Sequence, residues 1–275
     1  MGMIKNLWRG FRGGPDFTEV NHLNASLENI QLSVELPYSN IITEEPPRPI
    51  HFPFLKDRWF EENAKSLKHY HYVNIDTQAW YYVPAVVSLP NGELGSLWLS
   101  TRIKRTPDDK NISAFDLDEL GKYLLDEYEN YHNAPISDDE EDNFKGKNTR
   151  IRRDVIEFGA SRSTPWTQEQ IERETNIRLA GSGYDSLEPH QIKTINGRPW
   201  VFYIEKKSKK LSSKNHIYCM PLSDKFYLAL DFGYKVGPGD KFKLWKDHAE
   251  AAEKRIMESV KLIIPNDELA LTHQA

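Results

Sequence analysis

The chain has 275 residues, long enough for one large or two ordinary domains and for a substantial core. Hydrophobic residues at 39% and aromatic residues at 12% argue for an ordered body with strands and exclude a disordered chain. A net charge of −5 argues against nucleic acid as the main partner, and Cys219, the only cysteine, excludes an internal disulfide.

The N-terminal stretch MGMIKNLWRGFRGG is basic but runs into Gly-rich polar sequence, not into an apolar run of secretory length. No window approaches the roughly 18 consecutive apolar residues of a spanning helix. A cytoplasmic protein with no membrane partner is therefore expected. Residues 1–25 read as an arm without regular structure, because Trp8, Phe11 and Phe17 are interleaved with Gly10, Gly13, Gly14 and Pro15. Residues 26–275 read as one elaborated α+β domain, since no long Gly/Ser linker interrupts them.

Ile30, Leu32, Val34 and Leu36 alternate with Gln31, Ser33 and Glu35, which predicts a strand ended by Pro37. Pro46, Pro47, Pro49 and Pro53 make the next segment extended. A short helix is expected between Trp59 and Tyr72, then a hairpin of Trp80–Leu89 and Leu94–Ile103 about the turn dipeptide Asn91-Gly92. Pro84 places the first of these strands at an edge or a bulge. Asp116 and Glu119 have capping-box spacing, and Leu117, Leu120, Leu124 and Tyr131 continue on one helical face to about Tyr131. The acidic stretch PISDDEEDNFKGKN then reads as an exposed loop, Val155–Phe158 as a short strand, and Thr164-Pro165 as the opening of a helix to about Asn176.

From Pro189 to Phe232 strands arrive in quick succession, joined first by Asn196-Gly197. A helix of about Leu244–Ile263 follows, with Trp245, Ala249, Ala252, Ile256, Val260 and Ile263 on one side. Lys246, Asp247, Glu250, Glu253, Lys254, Glu258 and Lys261 fall mostly elsewhere. The fold class expected is α+β, an antiparallel sheet covered by helices.

Few groupings suggest chemistry. His69, His71 and Asp76 have metal-like spacing and give one reading, a metal-dependent hydrolase. Cys219 and His216 would point to opposite faces of a strand, so no nucleophile pair forms. Charge is more informative: from Asp116 to Asp142 eleven carboxylates face the single Lys122, and the basic run Lys145, Lys147, Arg150, Arg152 and Arg153 follows. Such an acidic surface suits a basic protein partner. The residues expected to bind it are Asp126, Glu127, Asp138, Asp139, Glu140, Glu141 and Asp142, with Tyr128 and Tyr131 as apolar anchors.

The runs INGRPWVFYIE and YLALDFGY, the helix ending RIMESVKLI, and ENIQLSVELP at 28–37 resemble the PsbP/DcrB-like fold. The resemblance covers about 186–264 and 28–37, and leaves the hairpin around Asn91 and the acidic loop as insertions. It implies a binding protein without catalytic residues or cofactor, similar to bacterial immunity proteins that neutralise secretion-system toxins in bacterial competition. The expected partner is a cognate toxin acting in the cytoplasm, such as a basic nuclease. A structural or adaptor protein is a third reading.

Overall fold

A computed structural model describes residues 10–41, 50–56, 58–67, 70–85, 92–136, 145–206, 213–237 and 244–263. The strands are β1 (Phe11–Gly13), β2 (Val20–Leu27), β3 (Ile30–Pro37), β4 (His51–Phe52), β5 (Lys65–Leu67), β6 (Tyr70–Pro84), β7 (Gly95–Arg105), β8 (Gln191–Ile195), β9 (Arg198–Lys206), β10 (Lys214–Pro221), β11 (Phe226–Val236) and β12 (Lys261–Ile263). The helices are α1 (Trp59–Asn63), α2 (Leu117–His132), α3 (Lys147–Ala160), α4 (Gln168–Ser182) and α5 (Leu244–Ser259). The protein is α+β, as its alternating and helical patterns predict.

Seven strands form one antiparallel sheet in the order β1-β6-β7-β11-β10-β9-β8, and β5 pairs with β6 beside them. The two faces follow from strand alternation. Leu97, Leu99 and Ile103 of β7, Leu228, Leu230 and Phe232 of β11, Tyr218 and Met220 of β10, and Trp200 and Phe202 of β9 share one face. A second sheet, β12-β3-β2-β4, and helix α5 cover it together. Trp245, Ala249, Ala252 and Ile256 of α5 are buried there, at the helical spacing of the sequence. Val201, Tyr203, Ile217, Cys219, Tyr227 and Ala229 point the other way and are covered by Leu120, Tyr123 and Leu124 of α2.

Local chemistry explains several boundaries. Asn196 (φ 51°) and Gly197 (φ 73°) make a two-residue turn of the type that matches hairpin twist, so β8 and β9 pair up to Ile195 and Arg198. Asp116 caps α2, its Oδ1 accepting from Glu119 N at 2.9 Å. The Glu119 carboxylate accepts from Ser113 N instead of closing the box on residue 116. Pro84 ends β6 where that strand pairs with Phe11.

Other expectations are corrected. The described part of the N-terminal arm contains β1 and β2, because Phe11–Gly13 pair with β6 and Val20–Leu27 with β3. The helix at Trp59 stops at Asn63, and the chain then turns back as β5 against β6. Val155–Phe158 is helical, part of α3. Helix α4 begins after Thr167, not at Pro165. The closing helix ends at Ser259, and Lys261–Ile263 pair with β3. The Asn91-Gly92 turn lies partly outside the described residues.

Candidate interaction surface

Helix α2 is held by a stripe of side chains. Leu120, Tyr123, Leu124, Tyr128, Tyr131 and His132 are buried at steps of three, four and one. Gly121 lets the 183–190 segment cross the helix, since a Cβ there would meet the His190 ring at 2.4 Å. His190 Nε2 lies 3.3 Å from Asp118 Oδ1. His132 stacks on Tyr184 with centroids 3.6 Å apart, and Tyr128 and Tyr131 meet the His132 ring edge-on at 4.6 and 4.9 Å. The Tyr128 hydroxyl donates to Lys206 O at 3.2 Å.

This corrects the expected anchors. Tyr128 and Tyr131 are only 2% and 5% exposed and belong to the core contact of α2, so neither reaches a partner from the folded surface. Burial pushes the Tyr128 hydroxyl's pKa up, with Glu205 and neighbouring acidic groups adding to it. Glu127 is half-buried and pairs with Lys110, whose ammonium also lies 5.0 Å from the Tyr123 ring centroid. Asp126 and Glu129 are exposed and, among the described residues, make no ion pair. Asp138, Asp139, Glu140, Glu141 and Asp142 lie outside the described residues.

The metal-like grouping is not assembled. His69 lies outside the described residues. His71 is exposed near the start of β6, with Nδ1 3.0 Å from Ser66 Oγ. Asp76 comes after a register shift between Asn74 and Asp76, is 4% exposed, and accepts from Gln78 Nε2 at 3.2 Å. Five residues of strand, roughly 16 Å, separate the two. Among the described residues no group of three metal-ligating side chains occurs.

One constellation that the sequence reading missed lies inside the body. Glu253 of α5, read as a solvent-side residue, is 5% exposed. Tyr218 donates to its Oε1 at 2.6 Å, Tyr234 donates to its Oε2, and His216 Nδ1 lies 2.9 and 3.0 Å from the two oxygens. Burial pushes the Glu253 carboxyl up, but His216 and the two hydroxyls together outweigh it and hold it below its ordinary range. Each oxygen thus has two partners, and the carboxylate fastens α5 to β10 and β11. Strand alternation, which puts His216, Tyr218 and Tyr234 on one face, was the signal available.

On the opposite face Arg102 lies 3.7 Å from Asp231 and 4.5 Å from the Tyr72 ring centroid. Burial lowers the Lys104 pKa and raises that of Cys219 to about 12. The thiol is therefore protonated at neutral pH, unsuited to nucleophilic attack.

The basic run after the acidic stretch folds into α3, which pairs with α4 as a helical hairpin. Its base is tied down: Asn148 Nδ2 donates to Tyr184 O, Asn148 Oδ1 accepts from Tyr184 N, both at 2.9 Å, and Arg152 donates to Asn133 Oδ1 at 3.0 Å. Helix α4 has no buried residue. Five of the eight Lys and Arg between Lys145 and Ser182 gather at the base of the hairpin, from Lys145 to Arg153.

No helix among the described residues is long and apolar enough to cross a membrane. The fold defines an α+β protein built on a large antiparallel sheet. No protein-family model matches the chain, and no curated protein matches it at a significant level.

Proposed function

We propose that this is a binding protein of the immunity type, which inhibits a basic toxin protein by covering its active or essential surface in a stoichiometric complex. The observation that carries this reading is the outer side of α2, where Asp126 and Glu129 stand exposed without ion-pair partners among the described residues. The five consecutive carboxylates Asp138–Asp142 follow in the sequence. The buried stripe fixes the helix, so Asp126 and Glu129 are presented on a rigid element. Exposed charge of one sign raises the rate of encounter with a surface of the opposite sign more than it deepens the final affinity. The α+β scaffold, with a core on both faces of its sheet, supplies the support such a surface needs.

The test replaces Asp126 and Glu129 by Asn and Gln, and Asp138–Asp142 by Asn or Gln, and measures association with the protein encoded by the neighbouring gene over a range of salt. Association is expected to slow about tenfold or more at low salt, and its salt dependence to flatten. An unchanged rate and slope would remove the acidic surface from the interface.

A further inference from the structure

We propose that the pocket between the β8–β9 hairpin and β12 is a binding site for a carboxylate borne on a compact apolar group, the chemistry of a small aromatic acid. This goes beyond the proposed function, because the pocket lies on the α5 side of the large sheet, whereas α2 covers the other side.

The local chain geometry builds the site. Asn196 and Gly197 turn β8 back into β9, and alternation along β9 puts Arg198 on the same face as Trp200, toward α5. The Asn196 amide ties this turn to the end of α5, donating to Glu258 O at 2.9 Å and to Val260 O at 2.7 Å. The chain then becomes β12, with Leu262 opposite Leu32 of β3 and on the inward side with Val260. Ile195, Trp200, Val260 and Leu262 are the apolar lining of a pocket of about 160 Å³. An apolar cavity of about 150 Å³ takes up benzene. The pocket therefore suits a single ring, with one substituent reaching its mouth.

The polar groups of the lining select the ligand. Trp200 is 1% exposed, and its indole Nε1–H meets no acceptor in the protein. By contrast Trp80, equally buried, donates to Tyr38 O at 2.9 Å. A buried donor left unmade is costly, so the Trp200 N–H calls for an acceptor from outside the chain. Arg198 also lines the pocket, is half-buried and, among the described residues, makes no ion pair. The acceptors at the end of α5 are already engaged: Asn196 holds the Glu258 and Val260 carbonyls, and the Glu258 carboxylate lies 3.7 Å from Lys254. Lys261 is exposed at the rim, turned by alternation to the side opposite Leu262, so it adds positive charge without closing on the ligand. No carboxylate is among the lining residues. A buried N–H, a guanidinium fork and apolar walls together ask for an oxygen anion on an apolar body. A cationic amine would face two positive charges, and inorganic phosphate would leave the apolar walls uncovered.

The experiment titrates the full chain with benzoate and follows the Trp200 indole N–H by NMR. Benzoate is expected to bind with a Kd of about 0.1 to 10 mM, in keeping with its size, and to move that signal downfield as the hydrogen bond forms. Benzamide, which has the same shape without the charge, should bind about tenfold or more weakly. Arg198→Gln should weaken benzoate about tenfold or more, leave benzamide unchanged and melt with the parent, since no ion pair is lost. Lys261→Gln should weaken benzoate by less than about threefold, because its charge is exposed. A short peptide ending in phenylalanine with a free carboxylate distinguishes the two sources of this chemistry. If it binds more tightly than benzoate the carboxylate is that of a chain terminus, and if more weakly it is that of a free acid. Asp126→Asn with Glu129→Gln, which tests the acidic surface separately, should leave benzoate binding unchanged. No saturable binding of benzoate or the peptide, equal binding of benzamide, an Arg198→Gln variant that binds benzoate as the parent does, or binding that leaves the Trp200 signal unmoved would each overturn the proposal.

Discussion

Helices α2 and α4 have sixteen and fifteen residues, and both start with a side-chain cap. The first buries seven residues against the sheet and the 183–190 segment, and the second buries none. Helical order in α2 is a consequence of tertiary packing, while α4 relies on its capping box, the Trp166 contact and its partner helix α3. The same local rules have thus produced one element that belongs to the core and one whose apolar residues remain at the surface. A defect in α2 should be felt by the whole molecule, and a defect in α4 only by the hairpin.

The strongest test of that contrast is Tyr128→Ala. It removes a ring packed against His132 and Tyr184 and leaves a cavity under α2, so a loss of about 3 to 5 kcal/mol is expected in urea unfolding. Unfolding should remain a single transition. A loss below about 1 kcal/mol would mean that α2 is not integral to the body.

Next is the body's buried carboxylate. Because Glu253 titrates below its ordinary value of 4.5 when folded, it contributes stability above that pH. The contribution is lost as pH falls through the folded value, because the unfolded chain then takes up the proton more readily. Glu253→Gln sets an amide against two hydroxyl donors and should cost about 1 to 3 kcal/mol at neutral pH. Its stability should also decline less steeply below about pH 4.5 than that of the parent. Parallel acid limbs for the two proteins would contradict the hydrogen-bonded cage.

The body was the more legible of the two regions. Ile30–Leu36, the Asn196-Gly197 turn and the stripe of α5 carry their period or turn chemistry locally, and each forms close to its predicted place. The burial of Tyr131 was also legible, since it continues the stripe of Leu120 and Leu124. Using it as a surface anchor conflicted with that periodicity. The hairpin was harder to read. Val155, Ile156 and Phe158 crowd together as in a strand, and the true seam of α3, Asn148, Ile151, Val155 and Gly159, has an amide and a glycine at two of its four positions. Thr164-Pro165 is a plausible helix start, but the Trp166–Gly159 hydrogen bond delays it to Thr167. Strand β1 had no local signal, because its order depends on β6, some seventy residues away. Glu253 looked solvent-facing until three donors from two distant strands surrounded it.

A smaller effect is expected at the start of α4. Thr167→Ala removes the side-chain acceptor for Gln170 N and should weaken the helix by about 1 kcal/mol. Because α4 is not part of the core, the change should appear as faster amide exchange confined to Gln168–Ser182, with the global unfolding midpoint unmoved. Exchange that accelerates equally in β9 and β10 would show that the hairpin and body unfold together.

The smallest effect distinguishes the two helices most directly. Ile177→Ala deletes an apolar side chain that is 51% exposed, at a place where nothing packs tightly over it. Its stability change should fall within about 0.5 kcal/mol, several-fold less than that of Tyr128→Ala. Chemical denaturation of the two variants side by side measures the ratio. If Ile177→Ala costs as much as a core truncation, α4 is packed against something in solution, and self-association should then be visible by sedimentation. A small cost with unchanged mass leaves Ile177 at the surface, as its exposure implies.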